Sequence, residues 1–426
     1  MFRFFRKLAK HDENRTLSSN ILSLGALQIF TYVLPLITLP YLVRVLGIET
    51  FGLLSLIAAI TAYFVLVSDY GFNLSATKQI SDHRENKKKY SQIFYDVMAV
   101  KVILVLLSLL LLTILLFLID SFKENAHLYY LNFGVVIGQA LFPVWFFQGM
   151  EAMKKIAVIN ICTKIAFTAS IFIFVKSPAD YWLVPSLTSI GFILSGAIAS
   201  FLAIRSFNIA PAKPSWSSLA FQIRSGWDVF LSRIYVNIYT TTNLVLLGLV
   251  TNNTVVGIYS VAEKMQQAIG GLFSPINQAF YPFLAKTYRS SPQRFFRIFT
   301  LLNCFFLMVS SLMAVAAFYL SEELVTLVAG ANNNAGEVIE VFKLLCAAIL
   351  LAPFGSSFTN AFLVLGKARK VSLIVFLTMT FNCILVFPLI FFYGAAGLAL
   401  TWVLGQFFHV SLYLYEYRKL VIKVEV

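Results

Sequence analysis

Long runs of predominantly apolar residues, each broken by a short polar or charged cluster, follow one another along nearly the whole chain. They fall at about 18 to 43, 51 to 71, 92 to 119, 128 to 150, 156 to 176 and 183 to 204. A second set falls at about 226 to 249, 257 to 282, 298 to 320, 338 to 364, 371 to 392 and 397 to 416. A hydrocarbon core about 30 Å thick takes about 20 apolar residues per helical crossing. The pattern predicts an all-α polytopic membrane protein of about twelve transmembrane helices, six followed by six. Residues 1–17 read as a cytoplasmic amphipathic arm, 18–204 as an N-terminal six-helix bundle and 205–225 as a cytoplasmic linker with Pro211, Pro214 and Trp216. Residues 226–416 read as a C-terminal six-helix bundle and 417–426 as a cytoplasmic tail.

Composition agrees with that class: 59% of the 426 residues are hydrophobic and 12% charged. Such a balance leaves no room for a sizeable soluble domain. The net charge of +14 reports orientation. With the N-terminus inside, the cytoplasmic segments hold 25 of the 33 lysines and arginines, and the outer connections hold only Arg44, Lys123 and Lys176. That asymmetry at short loops predicts N-in and C-in, and it displaces nucleic-acid binding as the reason for the positive charge. The first apolar run is too long for a signal peptide and lacks a small-residue cleavage site. Cys162, Cys304, Cys346 and Cys383 show no paired spacing and read as small core residues, with neither a disulfide framework nor a zinc site implied.

Two spans match at an offset of about 205 to 215 residues. Gly52 to Ser55 opens the second predicted helix as Gly257 to Ser260 opens the eighth, and a Leu-Gly pair (Leu46 Gly47, Leu247 Gly248) ends each preceding helix. Six helices followed by six in the same orientation imply halves related by an axis along the membrane normal, with a site between them. The alternative is that glycine and serine are simply common at helix starts.

Five cations fall inside predicted spans: Lys101, Lys164, Arg233, Lys264 and Lys343, with Arg44 at the outer end of the first helix. A cation at mid-bilayer costs at least about 2.5 kcal/mol, so such residues face a wet cavity, a partner or a ligand. A cationic lumen suits an anionic substrate: arginine grips a phosphate with two parallel hydrogen bonds and lysine acts as a point charge. The competing reading is local ion pairing, Asp96 with Lys101 and Asp228 with Arg233, or snorkelling of lysine stems. Asp69 and Glu263 are the acids that could couple an ion. Polar uncharged residues recur in the same helices: Gln28, Thr31 and Tyr32 in the first, Asn237, Tyr239 and Thr240 to Asn243 in the seventh, and Gln266, Gln267, Asn277, Gln278 and Tyr281 in the eighth. They serve equally as a sugar-binding wall or as glue between helices. Pro35 and Pro40, and Pro275 and Pro282, predict kinks in the first and eighth helices.

The chain has no phosphate-binding loop, because Gly366 Lys367 is followed by Ala368. No H-E-x-x-H or G-x-S-x-G occurs, and the outer connections are too short for a catalytic domain. The four histidines, His11, His83, His127 and His409, read as loop and interface residues. No enzyme, cofactor or metal is expected.

The strings LVRVLGIETFGLLS (Leu42 to Ser55), SDYGFNLSATKQIS (Ser68 to Ser81), WFFQGMEAMKKIA (Trp145 to Ala157) and VGIYSVAEKMQQAIGGLFSPINQAFYP (Val256 to Pro282) resemble the polysaccharide-transport flippases, in particular the O-antigen flippase (Wzx) family. The resemblance implies the fold of the multidrug and oligosaccharidyl-lipid exporters, with two six-helix bundles around a central cavity lined by helices one, two, seven and eight. Arg44, Asp69, Arg233 and Lys264 would then lie near the cavity; family members vary in their lumen charges, so the resemblance bears less directly on Lys101, Lys164 and Lys343. The implied substrate is an undecaprenyl-pyrophosphate-linked oligosaccharide, moved from the cytoplasmic to the periplasmic leaflet of the bacterial inner membrane. Membrane lipid, the polysaccharide polymerase and other assembly proteins would be its partners. The alternative on the same fold is a secondary exporter of small molecules or drugs, which would favour acids in its lumen.

Overall fold

The computed structural model describes residues 34–330 and 334–425, and the side chains of 238–240, 279 and 421–425 lie outside that description. The N-terminal arm, most of the first predicted helix with Gln28, Thr31 and Tyr32, and the side chain of Tyr239 therefore fall outside the described residues. The described secondary structure is helical, without a strand. The helices are α1 (Leu34–Leu46), α2 (Ile48–Asp69), α3 (Phe72–Asp82), α4 (Lys87–Leu118), the single turn α5 (Asp120–Lys123), α6 (Ala126–Leu141), α7 (Val144–Gly149), α8 (Met153–Phe174) and α9 (Leu183–Ser206). They continue as α10 (Trp216–Thr240), α11 (Thr242–Val250), α12 (Asn253–Gly270), α13 (Ser274–Ser290), α14 (Pro292–Tyr319), α15 (Ser321–Ala329), α16 (Ala335–Val364) and α17 (Ala368–Glu425). Gly394, at φ 53° and ψ −124°, breaks α17 into two helices.

Among the described residues, eight helical stretches are long and apolar enough to cross a membrane, so the chain is a multi-pass membrane protein. The seventh and eighth predicted crossings, α10 to α13, are not among them: they carry charges, amides and hydroxyls along their length. Pro275 stands in the first turn of α13, after a 3-10 turn at Gly271–Phe273 that interrupts the predicted eighth helix. Between α9 and α10 only residues 207–215 are non-helical.

The chain divides into two compact units, one built on Ile57–Ile234 and the other on Pro35–Leu56 with Tyr235–Val426. The first has an aromatic core in which Trp145, Phe146 and Phe147 pack with Phe72, Phe94 and Tyr90. Within it α4 shows how one helix serves two solvents. Phe94, Val97, Lys101, Leu104, Ser108 and Leu112, spaced three or four apart, form a buried stripe, while Val102, Leu106, Leu110 and Phe117 remain exposed to what is lipid in a membrane. In the second unit Phe295, Phe299, Phe358, Phe362 and Tyr413 fill the core of α14, α16 and α17.

The second unit also contains a reciprocal glycine contact. A Cβ on Gly52 in α2 would collide with the carbonyl oxygen of Asn253, and a Cβ on Gly257 in α12 would collide with that of Ile48. Gly52 and Gly257 are the two glycines matched in the repeat, and Ile48 and Asn253 stand at the same offset. The repeat-related helix starts thus meet backbone to backbone, as small residues permit in membranes. We expect Gly257→Ala to force the crossing apart and to cost about 1–3 kcal/mol, read as a lower melting temperature of the purified protein. An unchanged melting temperature would show that the crossing tolerates separation.

The cysteine reading needs correction. Cys346 is buried, but Cys162, Cys304 and Cys383 are exposed. An apolar helix in a membrane is apolar on its lipid face too, so apolar surroundings in sequence do not distinguish the core from the bilayer.

Candidate functional site

Three helices bring ionisable side chains together at Asp69, the last residue of α2, and α3 adds an amide. Positive φ at Tyr70 (46°) and Gly71 (77°) ends α2 and restarts the chain as α3, setting Asn73 beside the carboxylate. Asn73 Nδ2 donates to Asp69 Oδ1 at 2.9 Å and Oδ2 at 2.8 Å. From α10, Arg233 Nη1 donates to Asp69 Oδ2 at 2.6 Å. From the buried stripe of α4, Lys101 Nζ lies 3.6 Å from Asp69 Oδ1.

Exposure orders the cluster: Lys101 is 2% exposed, Asp69 15% and Arg233 37%. Among the described residues two cations share this one carboxylate. Lys101 is the fixed, desolvated charge and Asp69 offsets it, while Arg233 presents more than a third of its side chain outward. Such an arrangement can recruit an anion without leaving a bare buried charge when empty.

The local pairs considered from sequence, Asp96 with Lys101 and Asp228 with Arg233, are replaced by this shared partner. Residues five apart on a helix point about 140° from each other, so neither pair can close on its own helix. Asp96 instead accepts from Gln92 Nε2 at 2.9 Å and from Ser218 Oγ at 2.9 Å, which ties α4 to α10.

The other candidate residues are placed differently. Arg44 in α1 points its Nη2 at the carbonyls of Thr326 and Leu327, at the C-terminal end of α15, where a cation suits the helix dipole. Lys343 in α16 pairs with Glu322 at 3.6 Å and lies 5.9 Å from the Phe318 ring centroid. Lys164 is half-buried on α8. In α12, Lys264 is exposed beside half-buried Glu263. Asn237 Oδ1 accepts from Thr241 Oγ1 at 3.3 Å. Asp69, Lys101 and Arg233 are thus brought together in the first unit, and Arg44, Lys343 and Asn237 belong to the second. Asn73 escaped notice in the sequence, although its position four residues after Asp69 puts it on the same side of the chain. Among the described residues no group of histidine, cysteine, aspartate and glutamate could hold a metal.

His409 also needs correction as a loop or interface residue: it is 8% exposed within α17, with Nδ1 3.0 Å from Thr378 Oγ1.

Comparison with known proteins gives the chain its relatives. The family model described as "Polysaccharide biosynthesis protein" matches residues 17–288. A candidate O-antigen transporter of Escherichia coli (strain K12) is 30% identical over 272 residues, 64% of this chain and 66% of the relative. A candidate O-antigen transporter of Shigella dysenteriae is 29% identical over 388 residues, 90% of this chain and 96% of the relative. Among solved structures, the lipid II flippase MurJ in an inward closed conformation superposes with a TM-score of 0.73 at 13% identity, covering 95% of this chain and 87% of that one. An inward-facing multidrug resistance MATE family transporter of the MOP superfamily superposes with a TM-score of 0.67 at 13% identity, covering 93% and 99%. The relatives are transporters rather than enzymes, and this chain belongs to the polysaccharide biosynthesis protein family, with the fold of the MOP superfamily.

Proposed function

We propose that this protein is a flippase that moves undecaprenyl-pyrophosphate-linked oligosaccharide repeat units, of O-antigen or a related surface polysaccharide, from the cytoplasmic to the periplasmic leaflet of the bacterial inner membrane. The observation that carries the reading is the Asp69–Lys101–Arg233 cluster: two cations on one carboxylate among the described residues of a membrane-embedded unit, the arginine partly exposed and the lysine buried. The family and the names of the relatives support the cargo class.

A pyrophosphate and its sugars cannot cross hydrocarbon, whereas the lipid tail can stay in it. In the empty protein Asp69 holds Arg233. An arriving pyrophosphate competes for the guanidinium, binding it through two parallel hydrogen bonds, and Lys101 adds charge at short range. Asp69 then takes Arg233 back when the cargo leaves, so that the site does not retain its anion. Outward movement of negative charge follows an inside-negative potential, worth about 2.3 kcal/mol per charge per 100 mV, and needs no ATP. Alternating access, with helices bending at their prolines and glycine crossings, delivers the cargo. Export of small cationic drugs on the same fold would call for an excess of acids, and the cluster has the opposite sign.

Cells lacking the gene test the reading. They are expected to lose surface polysaccharide and to accumulate lipid-linked repeat units on the cytoplasmic face, both restored by the full-length chain. Normal surface polysaccharide in the deletion strain would overturn it.

A further inference from the structure

The second unit holds a separate cavity of about 360 Å³, within the range of small-molecule sites. Asn360 of α16, Thr378 and Asn382 of α17, and Trp402, Gln406 and His409 beyond the Gly394 break contribute to its wall. The register explains the convergence. Thr378 and Asn382 are four apart, while Trp402, Gln406 and His409 follow at intervals of four and three, so each set lies on one face of its helix.

Among the described residues the lining carries no charged side chain. Asn382 is 2% exposed, yet its Oδ1 has no hydrogen-bond partner. That oxygen is sealed within the protein, and a buried carbonyl oxygen left so costs the fold about 1–3 kcal/mol. His409 offers an acceptor to the cavity. Thr378 Oγ1 gives its one proton to the Ile374 carbonyl at 2.8 Å, so its 3.0 Å contact with His409 Nδ1 requires that nitrogen to donate. The network assigns the lone pair to Nε2. Asn360 and Gln406 supply amide donors as well as acceptors, and Trp402 supplies an aromatic ring. The His409 acceptor, the amides of Asn360 and Gln406 and the Trp402 ring, with no charge among the described lining residues, match a neutral pyranose ring. A phosphate would find no cation here, and a cation would find no carboxylate.

We propose that this cavity is a carbohydrate subsite, which takes one uncharged sugar ring by its hydroxyl groups, apart from the charged cluster of the first unit. The inference deepens the flippase reading and rests on it for the source of the sugar.

The test uses full-length protein in lipid nanodiscs and a panel of glucose, galactose, N-acetylglucosamine and rhamnose, followed by saturation-transfer NMR. At least one sugar is expected to bind saturably, and Asn382→Leu is expected to weaken it at least tenfold. Loss of the orphan acceptor should also raise the melting temperature of the empty protein. Should the melting temperature fall instead, Gln406→Leu carries the binding test, with the same tenfold loss expected. Absence of saturable binding across the panel, binding that both variants retain, or stabilisation by sodium chloride but not by any sugar would each overturn the subsite. Arg233→Glu separates the two readings: it should keep monosaccharide binding while losing export. Sugar binding without any export defect in the deletion strain would contradict the flippase reading alone.

Discussion

Asp69→Ala is expected to be the most damaging single change among the membrane-embedded charges, lowering stability by about 3–5 kcal/mol. Lys101 is 2% exposed and Asp69 is the carboxylate paired with it. Removing that carboxylate leaves an ammonium group in a desolvated stripe between Val97 and Leu104, and it also strips Arg233 of its 2.6 Å partner. Replacing both members of a buried pair by apolar groups is far gentler than removing one. The double variant Asp69→Ala/Lys101→Met should therefore recover most of the loss. Melting temperature and membrane abundance of the two variants check this. Equal loss in both would show that the Asp69 carboxylate does not stabilise Lys101.

Arg233→Glu is expected to abolish export. Among the described residues the wild-type cluster holds two cations and one carboxylate; Arg233→Gln removes one cation, and Arg233→Glu sets two carboxylates against one lysine. Surface polysaccharide should fall in the order wild type, Arg233→Lys, Arg233→Gln, Arg233→Glu, with the last below a few per cent. Lysine keeps the charge but loses the paired hydrogen bonds that arginine makes to a phosphate. Arg233 is partly exposed, so these variants should remain folded, and their abundance in membranes is the control. Undiminished polysaccharide from Arg233→Glu at normal abundance would contradict a role in cargo binding.

Much of this molecule can be read from the chain because the bilayer imposes a strong period on it. The apolar runs mark the helices, and intramembrane cations stand out against them at known cost. Gly52 and Gly257, matched in the sequence, stand where their helices touch through backbone, which is the reason those positions are glycine. Partnership between charges was not legible. Asp69 and Arg233 are 164 residues apart, and the nearer choices, Asp96 and Asp228, sit on the wrong faces of their own helices. The stripe of Phe94, Val97, Lys101, Leu104 and Ser108 carried the missing signal, because it puts Lys101 on the packed face of α4 rather than the lipid face. The neutral cavity was hidden for a different cause. Asn382 and His409 lie in runs that read as ordinary crossings, and only the break at Gly394 folds the two parts of α17 so that both line it.

The most direct measurement is flipping by purified protein in proteoliposomes loaded with a pyrophosphate-linked oligosaccharide on its polyprenyl carrier. Wild-type protein should expose the sugar on the opposite leaflet at a rate that an imposed membrane potential of favourable sign increases, and Arg233→Glu should fall to the rate of empty liposomes. Equal rates for the two proteins would contradict the claim that this cationic cluster carries the diphosphate across.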